Sequence, residues 1–433
     1  MTIEGAGPVT APERRCWACG HANPAGYNFC SQCGRPLQAA PPYAPPKQVS
    51  FRDLGRTMGA YSVLALLFIL AINVVILIWG IGQVYPHLDK HVYLFIITPF
   101  ILNFAELGGM EFFLYYVFLA AAITLSFIWM MRKSLFSFSE ELLARSPEKG
   151  PSPVFVIGTL FMAVLAFNVI FYIIVEASGI APSTPDFESR ELWQSLYGFA
   201  HASVWEEVAS RILLIGVPLL IIDGLLEFKY PQRKMRKARQ YILGGGIPIG
   251  RIEAALLVVS SIMFGFAHVF AWDLYKIFPA AVAGLAFGYL FLKLGVYAAI
   301  LLHFAFDFMS IPLELAPGNL ALEYFIGLLT LLWIVVGTVF IVYYAAKGLG
   351  WLIGRRIWPD VPAKVNVAAV PTYYAYAGAA PYNHPPVYQS QQAPPPVMPR
   401  HPTAFGYRCH RCGNGEASYR DGRLVCTKCG NVD

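Results

Sequence analysis

Long apolar runs separated by short polar connections fill the middle of the chain, from about residue 59 to residue 356. The clear runs fall at 59–83, 111–131, 153–176, 197–227, 253–271, 276–293, 296–311 and 320–346. A stretch of about 18 or more apolar residues can cross a bilayer as a helix. The pattern therefore predicts an all-α polytopic membrane protein with about eight spanning helices. Pro218 predicts a kink in the fourth. Residues 93–108 are also apolar, but they carry Asn103 and Glu106 and end in Gly108-Gly109. We read them as a re-entrant or interfacial segment, or an extension beside the second span.

Charge supports that count. Arg132-Lys133, the run from Lys229 to Arg239 and Arg355-Arg356 flank the apolar runs. With eight crossings starting inside, all three lie on the cytoplasmic side, as the positive-inside rule requires. A ninth crossing at 93–108 would move most of them out. The expectation is a multi-pass cell-membrane protein with both termini in the cytoplasm. The chain has 433 residues, 57% of them hydrophobic and 13% charged, with a formal charge of +6. That is too apolar for an ordinary soluble domain, and the excess of positive charge reads as topology.

The two ends differ from the middle. All eight cysteines lie there, in four CxxC pairs: Cys16, Cys19, Cys30 and Cys33, then Cys409, Cys412, Cys426 and Cys429. Two CxxC turns can offer four thiolates to zinc in a tetrahedron. Disulfides or redox thiols are the rival. Reduced thiolates also place both ends in the cytoplasm, and each module is too small to fold without its metal. The expected organisation is an N-terminal zinc ribbon (1–34), a linker (35–58), the membrane domain (59–356), a Pro/Tyr/Ala-rich linker (357–405) and a C-terminal zinc ribbon (406–433). No long basic surface interleaved with aromatics surrounds either ribbon. This argues against nucleic acid and for a protein partner or a purely structural role.

Ionisable residues also occur inside the apolar runs, where charge is costly and marks a pathway or reaction centre. Glu207 and Arg211 are four residues apart, one face of a helix, and suit a structural ion pair. Glu206 has no such local partner and suits a general base. Phe264 precedes His268 by four residues, and His303 precedes Asp307 by four. The Asp307 carboxylate is placed to orient the His303 imidazole. Together they suit water activation, directly or through a divalent metal held by Glu206, His268 and His303, with His303 and Asp307 at an oxyanion. By these span boundaries His303 sits nearer the cytoplasmic side than Glu206.

The three motifs, Glu206-Glu207-x3-Arg211, Phe264-x3-His268 and His303-x3-Asp307, resemble those of the CAAX prenyl endopeptidase and bacteriocin-processing family, the Rce1-like intramembrane proteases. The resemblance covers about 195–315. It implies an intramembrane (metallo)endopeptidase with catalytic Glu206 and His268, supporting Glu207 and Arg211, and oxyanion-binding His303 and Asp307. It implies membrane lipids as surroundings and a peptide or protein substrate, prenylated in eukaryotic relatives. The other readings are a non-catalytic membrane scaffold or maturation factor, and a transporter. A transporter would more often show inverted repeats, and none is evident.

Overall fold

The computed structural model describes residues 14–16, 19–24, 27–35 and 37 near the N-terminus, then 51–97, 101–143, 150–186, 189–232, 234–269, 272–355 and 357, and finally 417–420 and 423–426. Two short strands, β1 (Arg14–Arg15) and β2 (Ala22–Asn23), pair in the N-terminal module. Helix α1 (Phe51–Val84) leads to a hairpin of β3 (His91–Ile97) and β4 (Ile101–Gly108). Helices α2 (Gly109–Leu142) and α3 (Pro153–Ala177) follow. The next rod, Leu192–Lys229, is made of α4 (Leu192–His201), two π-helical stretches (Ala202–Glu206 and Val208–Gly216) and α5 (Val217–Lys229). After it come α6 (Ala238–Ile242), α7 (Arg251–Ala267), α8 (Ile277–Lys293), α9 (Val296–Asp307), α10 (Ile311–Leu315) and α11 (Leu320–Leu352).

Among the described residues, six helices are long and apolar enough to cross a membrane, not eight. The expected fifth and seventh spans fall short for a geometric reason. Helix α7 has 17 residues and α9 only 12, whereas α8, also 17, is extended to a 20-residue span by the 3₁₀ turn Leu274–Lys276 before it. At about 1.5 Å per residue α7 and α9 reach about 25 and 18 Å, against a hydrocarbon core of about 30 Å. Apolar residues continue past Asp307, but the chain turns there into α10. Residues 93–108 do not form a helix: β3 and β4 pair in antiparallel register from His91↔Gly108 to Ile97↔Ile101, with an irregularity at Leu94/Phe95.

Pro218 lies just past a π-helical stretch. It lacks an N–H, and the turn before it re-registers, so that the Val217 N–H reaches back five residues to the Ile212 carbonyl. The helix widens into a π stretch, a feature that concentrates at functional sites. The widened segment carries Arg211, and the one before it ends on Glu206.

Helix α9 is the centre of the bundle, with every residue from Tyr297 to Ala305 buried. Helix α3 lies along α11, and α7 along α8. Asn73 on α1 donates to the Phe308 carbonyl just beyond α9 (2.9 Å), and the Trp333 indole on α11 donates to the Ser62 carbonyl of α1 (3.1 Å). Gly284 and Gly288 let α8 approach α7: a Cβ on Gly284 would sit 3.0 Å from the Ser261 Cα, and one on Gly288 would strike Leu257. In the C-terminal unit, β5 (Ala417–Arg420) and β6 (Arg423–Cys426) form a hairpin. Cys409, Cys412 and Cys429 lie outside the described residues, and of Cys426 only the backbone is described. The structure therefore gives no support for the expected second ribbon.

Because a Cβ at position 284 meets backbone, relief requires α7 and α8 to separate. Gly284→Val is expected to cost about 1–3 kcal/mol, seen as a lower Tm in detergent.

Candidate active site and zinc module

The structure brings all seven named residues of the three motifs into one cluster. Glu207 and Arg211 are fully buried and paired through Oε2 and Nε at 2.9 Å. Arg211 Nη1 also donates to Ser260 Oγ (2.9 Å), whose hydroxyl donates in turn to the Ser210 carbonyl (2.7 Å). Its guanidinium carbon lies 5.1 and 5.6 Å from the ring centroids of Phe264 and Phe287. The charge is thus flanked by aromatic faces and given acceptors at Nε and Nη1, while Nη2 is buried without a partner.

The second Glu207 oxygen, Oε1, is 3.0 Å from His303 Nδ1. Glu207 therefore positions both Arg211 and His303, beyond the ion-pair role its spacing suggests. The His303 ring stacks on Phe287 at 4.9 Å and 12°, which fixes its plane. Its other nitrogen, Nε2, faces Asp307 Oδ2 at 3.4 Å and Glu206 Oε2 at 3.9 Å. The nearer orienting carboxylate is thus Glu207, with Asp307 at the exposed nitrogen. His268 follows the last residue of α7. Its Nδ1 is 2.7 Å from the Phe264 carbonyl, and its Nε2 is 3.8 Å from the same Glu206 Oε2. The depth mismatch of the span boundaries vanishes because α7 and α9 both stop short, so that His268 and Asp307 sit at helix ends.

Glu206 Oε2 is itself buried, with no hydrogen-bond partner in the protein. It faces a cavity of about 700 Å³ whose lining includes His268, His303 and Asp307. Two imidazole nitrogens just under 4 Å from one carboxylate oxygen are too far for direct hydrogen bonds and suit a shared water. Imidazole and carboxylate are ordinary metal ligands. Yet among the described residues only the four thiols converge so that every ligand atom lies within 4.8 Å of the others. The Glu206, His268 and His303 set is more open than that.

Several residues of the site escaped the sequence reading. Ser260 lies four residues before Phe264, on the same helical face as Phe264 and His268, and that spacing could have revealed it. Lys276 reads as a loop charge but lines the cavity, 3.7 Å from the Trp272 ring centroid. The hairpin supplies Phe95, Ile97 and Ile101 to the cavity wall. It is fastened by Trp205, whose indole donates to the Phe95 carbonyl at 2.8 Å.

In the N-terminal module, Cys16, Cys19, Cys30 and Cys33 are free thiols brought together by two matching turns. The Gly20 N–H bonds the Cys16 carbonyl and the Gly34 N–H bonds that of Cys30, both at 2.9 Å. Both glycines adopt positive φ, 73° and 69°, a conformation glycine accepts freely. Sulfurs are 3.5 Å apart between Cys19 and Cys30 and 3.6 Å between Cys16 and Cys33. A tetrahedral zinc with bonds of about 2.3 Å sets sulfurs about 3.8 Å apart, so the set fits zinc. At Cys30 burial opposes ionisation, but the backbone donors of Cys33 and Gln32 and the Asn23 amide bring the thiol down to about 6. At Cys19 a backbone donor at His21 favours the thiolate, but burial and the neighbouring sulfurs prevail and push it up to about 12. Four crowded sulfurs need a cation to ionise together.

Residues 188–309 match the model of the type II CAAX prenyl endopeptidase Rce1-like family, and residues 15–37 match a zinc-ribbon domain. No curated protein and no solved structure matches the chain. The segment 188–309 thus has a CAAX-protease-like architecture around a buried Glu/His cluster, preceded by a four-cysteine module like a zinc ribbon.

Arg211→Met leaves Glu207 buried without its partner. It is expected to destabilise the protein by about 3–5 kcal/mol, with Glu207→Gln/Arg211→Met less affected than Arg211→Met alone in thermal melts. Zinc loading at pH 7 is expected to release protons, because Cys19 must give up its own. Bound zinc should be lost on acidification, as protons compete for the thiolates. Calorimetry in buffers of differing ionisation enthalpy and metal analysis after acid dialysis check both.

Proposed function

We propose that the protein is an intramembrane endopeptidase that hydrolyses peptide bonds of membrane-associated substrates with water activated by Glu206. The observation that carries this reading is the buried, unpartnered Glu206 Oε2 facing two imidazole nitrogens at 3.8 and 3.9 Å in an apolar cavity. A non-catalytic scaffold has no need for a buried carboxylate aimed at two histidines.

In the proposed reaction a water rests between Glu206 Oε2 and His268 Nε2. Glu206 takes its proton as the water oxygen bonds to the scissile carbonyl carbon. The carbonyl oxygen becomes an oxyanion, met by the N–H of His303 Nε2. Glu207 at Nδ1 and the stacked Phe287 hold that ring in place before the charge develops. Collapse re-forms the carbonyl and breaks the C–N bond. The proton on Glu206 passes to the leaving nitrogen, yielding a carboxylic acid and an amine. Glu207 and Arg211 act by positioning. The chemistry is written through the protein's own groups, since the Glu206, His268 and His303 set is more open than the thiol cluster.

The N-terminal four-cysteine module is proposed to hold one structural zinc and to dock a protein partner, with Cys409, Cys412, Cys426 and Cys429 holding a second. Both termini are proposed to be cytoplasmic.

A cleavage assay in proteoliposomes with a peptide library tests the reading. Glu206→Gln is expected to lower kcat by about 10³-fold or more and His268→Ala by about 10²-fold, within the range of general-base and supporting losses. Chelators should strip the ribbon zinc and leave cleavage within a few-fold. Unchanged turnover in Glu206→Gln would overturn the assigned base.

A further inference from the structure

The connections between helices gather at two faces that differ sharply in charge. At one face, the 178–191 connection is tied to the 268–276 connection by the Ser183 N–H, which donates to Asp273 Oδ2 at 2.7 Å. The hairpin reaches the same region, through the cavity wall and the Trp205 bond. At the opposite face, Glu141 accepts from Ser152 N and Oγ across the α2–α3 connection (2.9 and 2.5 Å). There the segment after α6 is joined to the α8–α9 turn, with Val296 N–H donating to the Leu243 carbonyl at 2.8 Å.

Basic residues divide unequally between them. Among the described residues, the second face carries Arg132 and Lys133, six lysines and arginines in 229–251, and Lys293. The first face, in 85–109, 178–191, 268–276 and 308–319, carries Lys90, Arg190 and Lys276. Short connections with a strong excess of Lys and Arg stay in the cytoplasm. The N-terminal cysteine module agrees. It joins α1 at its basic end, and its free thiols belong on the reducing side.

The cavity lies at the other face. Helix α7 ends at Ala267 and α9 at Asp307, and both ends point into it. Pro185, Arg190, Trp272 and Lys276, from two connections of the sparsely charged face, line it. We propose that the cavity opens to the non-cytoplasmic side and takes extracytoplasmic peptide segments, with the N-terminal zinc module across the bilayer from it. The substrate clause rests on the peptidase reading; the orientation does not. Its consequence is that the zinc module cannot hand substrate to the cavity. A partner docked there would act on the enzyme from the far side. A prenylated cytoplasmic tail would meet the wrong face.

The test uses the full chain in sealed right-side-out vesicles and a membrane-impermeant maleimide. Measured as label in excess of the wild-type chain with its native cysteines, Ser183→Cys, exposed at the cavity face, is expected to add the same amount before and after permeabilisation. Ser139→Cys, exposed near the end of α2, is expected to add label over wild type only afterwards. Any other pattern overturns the orientation, including the reverse, both sites labelling before permeabilisation, or Ser183→Cys remaining silent until then. In a second arm the peptide library is supplied from one side at a time. Cleavage from outside alone is the expected result, and cleavage from the lumen alone overturns the proposal. The expected labelling with no cleavage from either side sinks the peptidase reading and leaves the orientation standing.

Discussion

The buried pair of Glu207 and Arg211 holds the site together because neither charge can be satisfied by one neighbour. Glu207 commits one oxygen to Arg211 and the other to His303, so α9 is bound to the π-widened helix. Arg211 turns toward α7, where Ser260 accepts and Phe264 covers it. Desolvating both ions is costly, and the penalty is offset only if all three helices meet in one arrangement. Everything chemical nearby follows from that arrangement. His303 is fixed at one nitrogen and stacked on Phe287, so its free nitrogen is presented to the cavity. Glu206, the preceding residue on the same helix, points away from the pair and toward the two imidazoles.

The hairpin adds a second constraint. Trp205 precedes Glu206 directly, and its indole is tied to the Phe95 carbonyl. Wall and base are therefore coupled through adjacent residues of one π turn. The segment that walls the cavity against lipid cannot shift far without pulling on the helix that carries the carboxylate.

How much of this is legible in the sequence depends on the range of the interaction. The CxxC turns and the i, i+4 pairs are local, and spacing alone finds them. Ser260, four residues before Phe264, belonged to the same local grammar. The hairpin was harder. Its two strands are both apolar, so the alternation that marks a strand is lost; Thr98-Pro99 amid β-branched and aromatic residues was the available hint. Hydropathy overcounts the full spans because it does not register where a helix stops. Phe308, Met309 and Ile311 extend the apolar run after α9 has ended. The π stretches follow from a missing donor at Pro218 and from packing, and the latter has no local signature. The approach of Glu206 to His303 depends on where helices stop and widen, which span boundaries drawn from hydropathy do not register.

The shortness of α9 has one further consequence. A helix that faces lipid and is too short for the membrane deforms the bilayer around it. Helix α9 is walled in by its neighbours, so lipid cannot make up the difference. The missing turns of α7 and α9 instead leave a notch inside the protein, and the cavity occupies it. The cavity lined by Glu206 then lies beyond the ends of two short helices, while α1, α2, α3 and α11 keep lengths that can span the hydrocarbon.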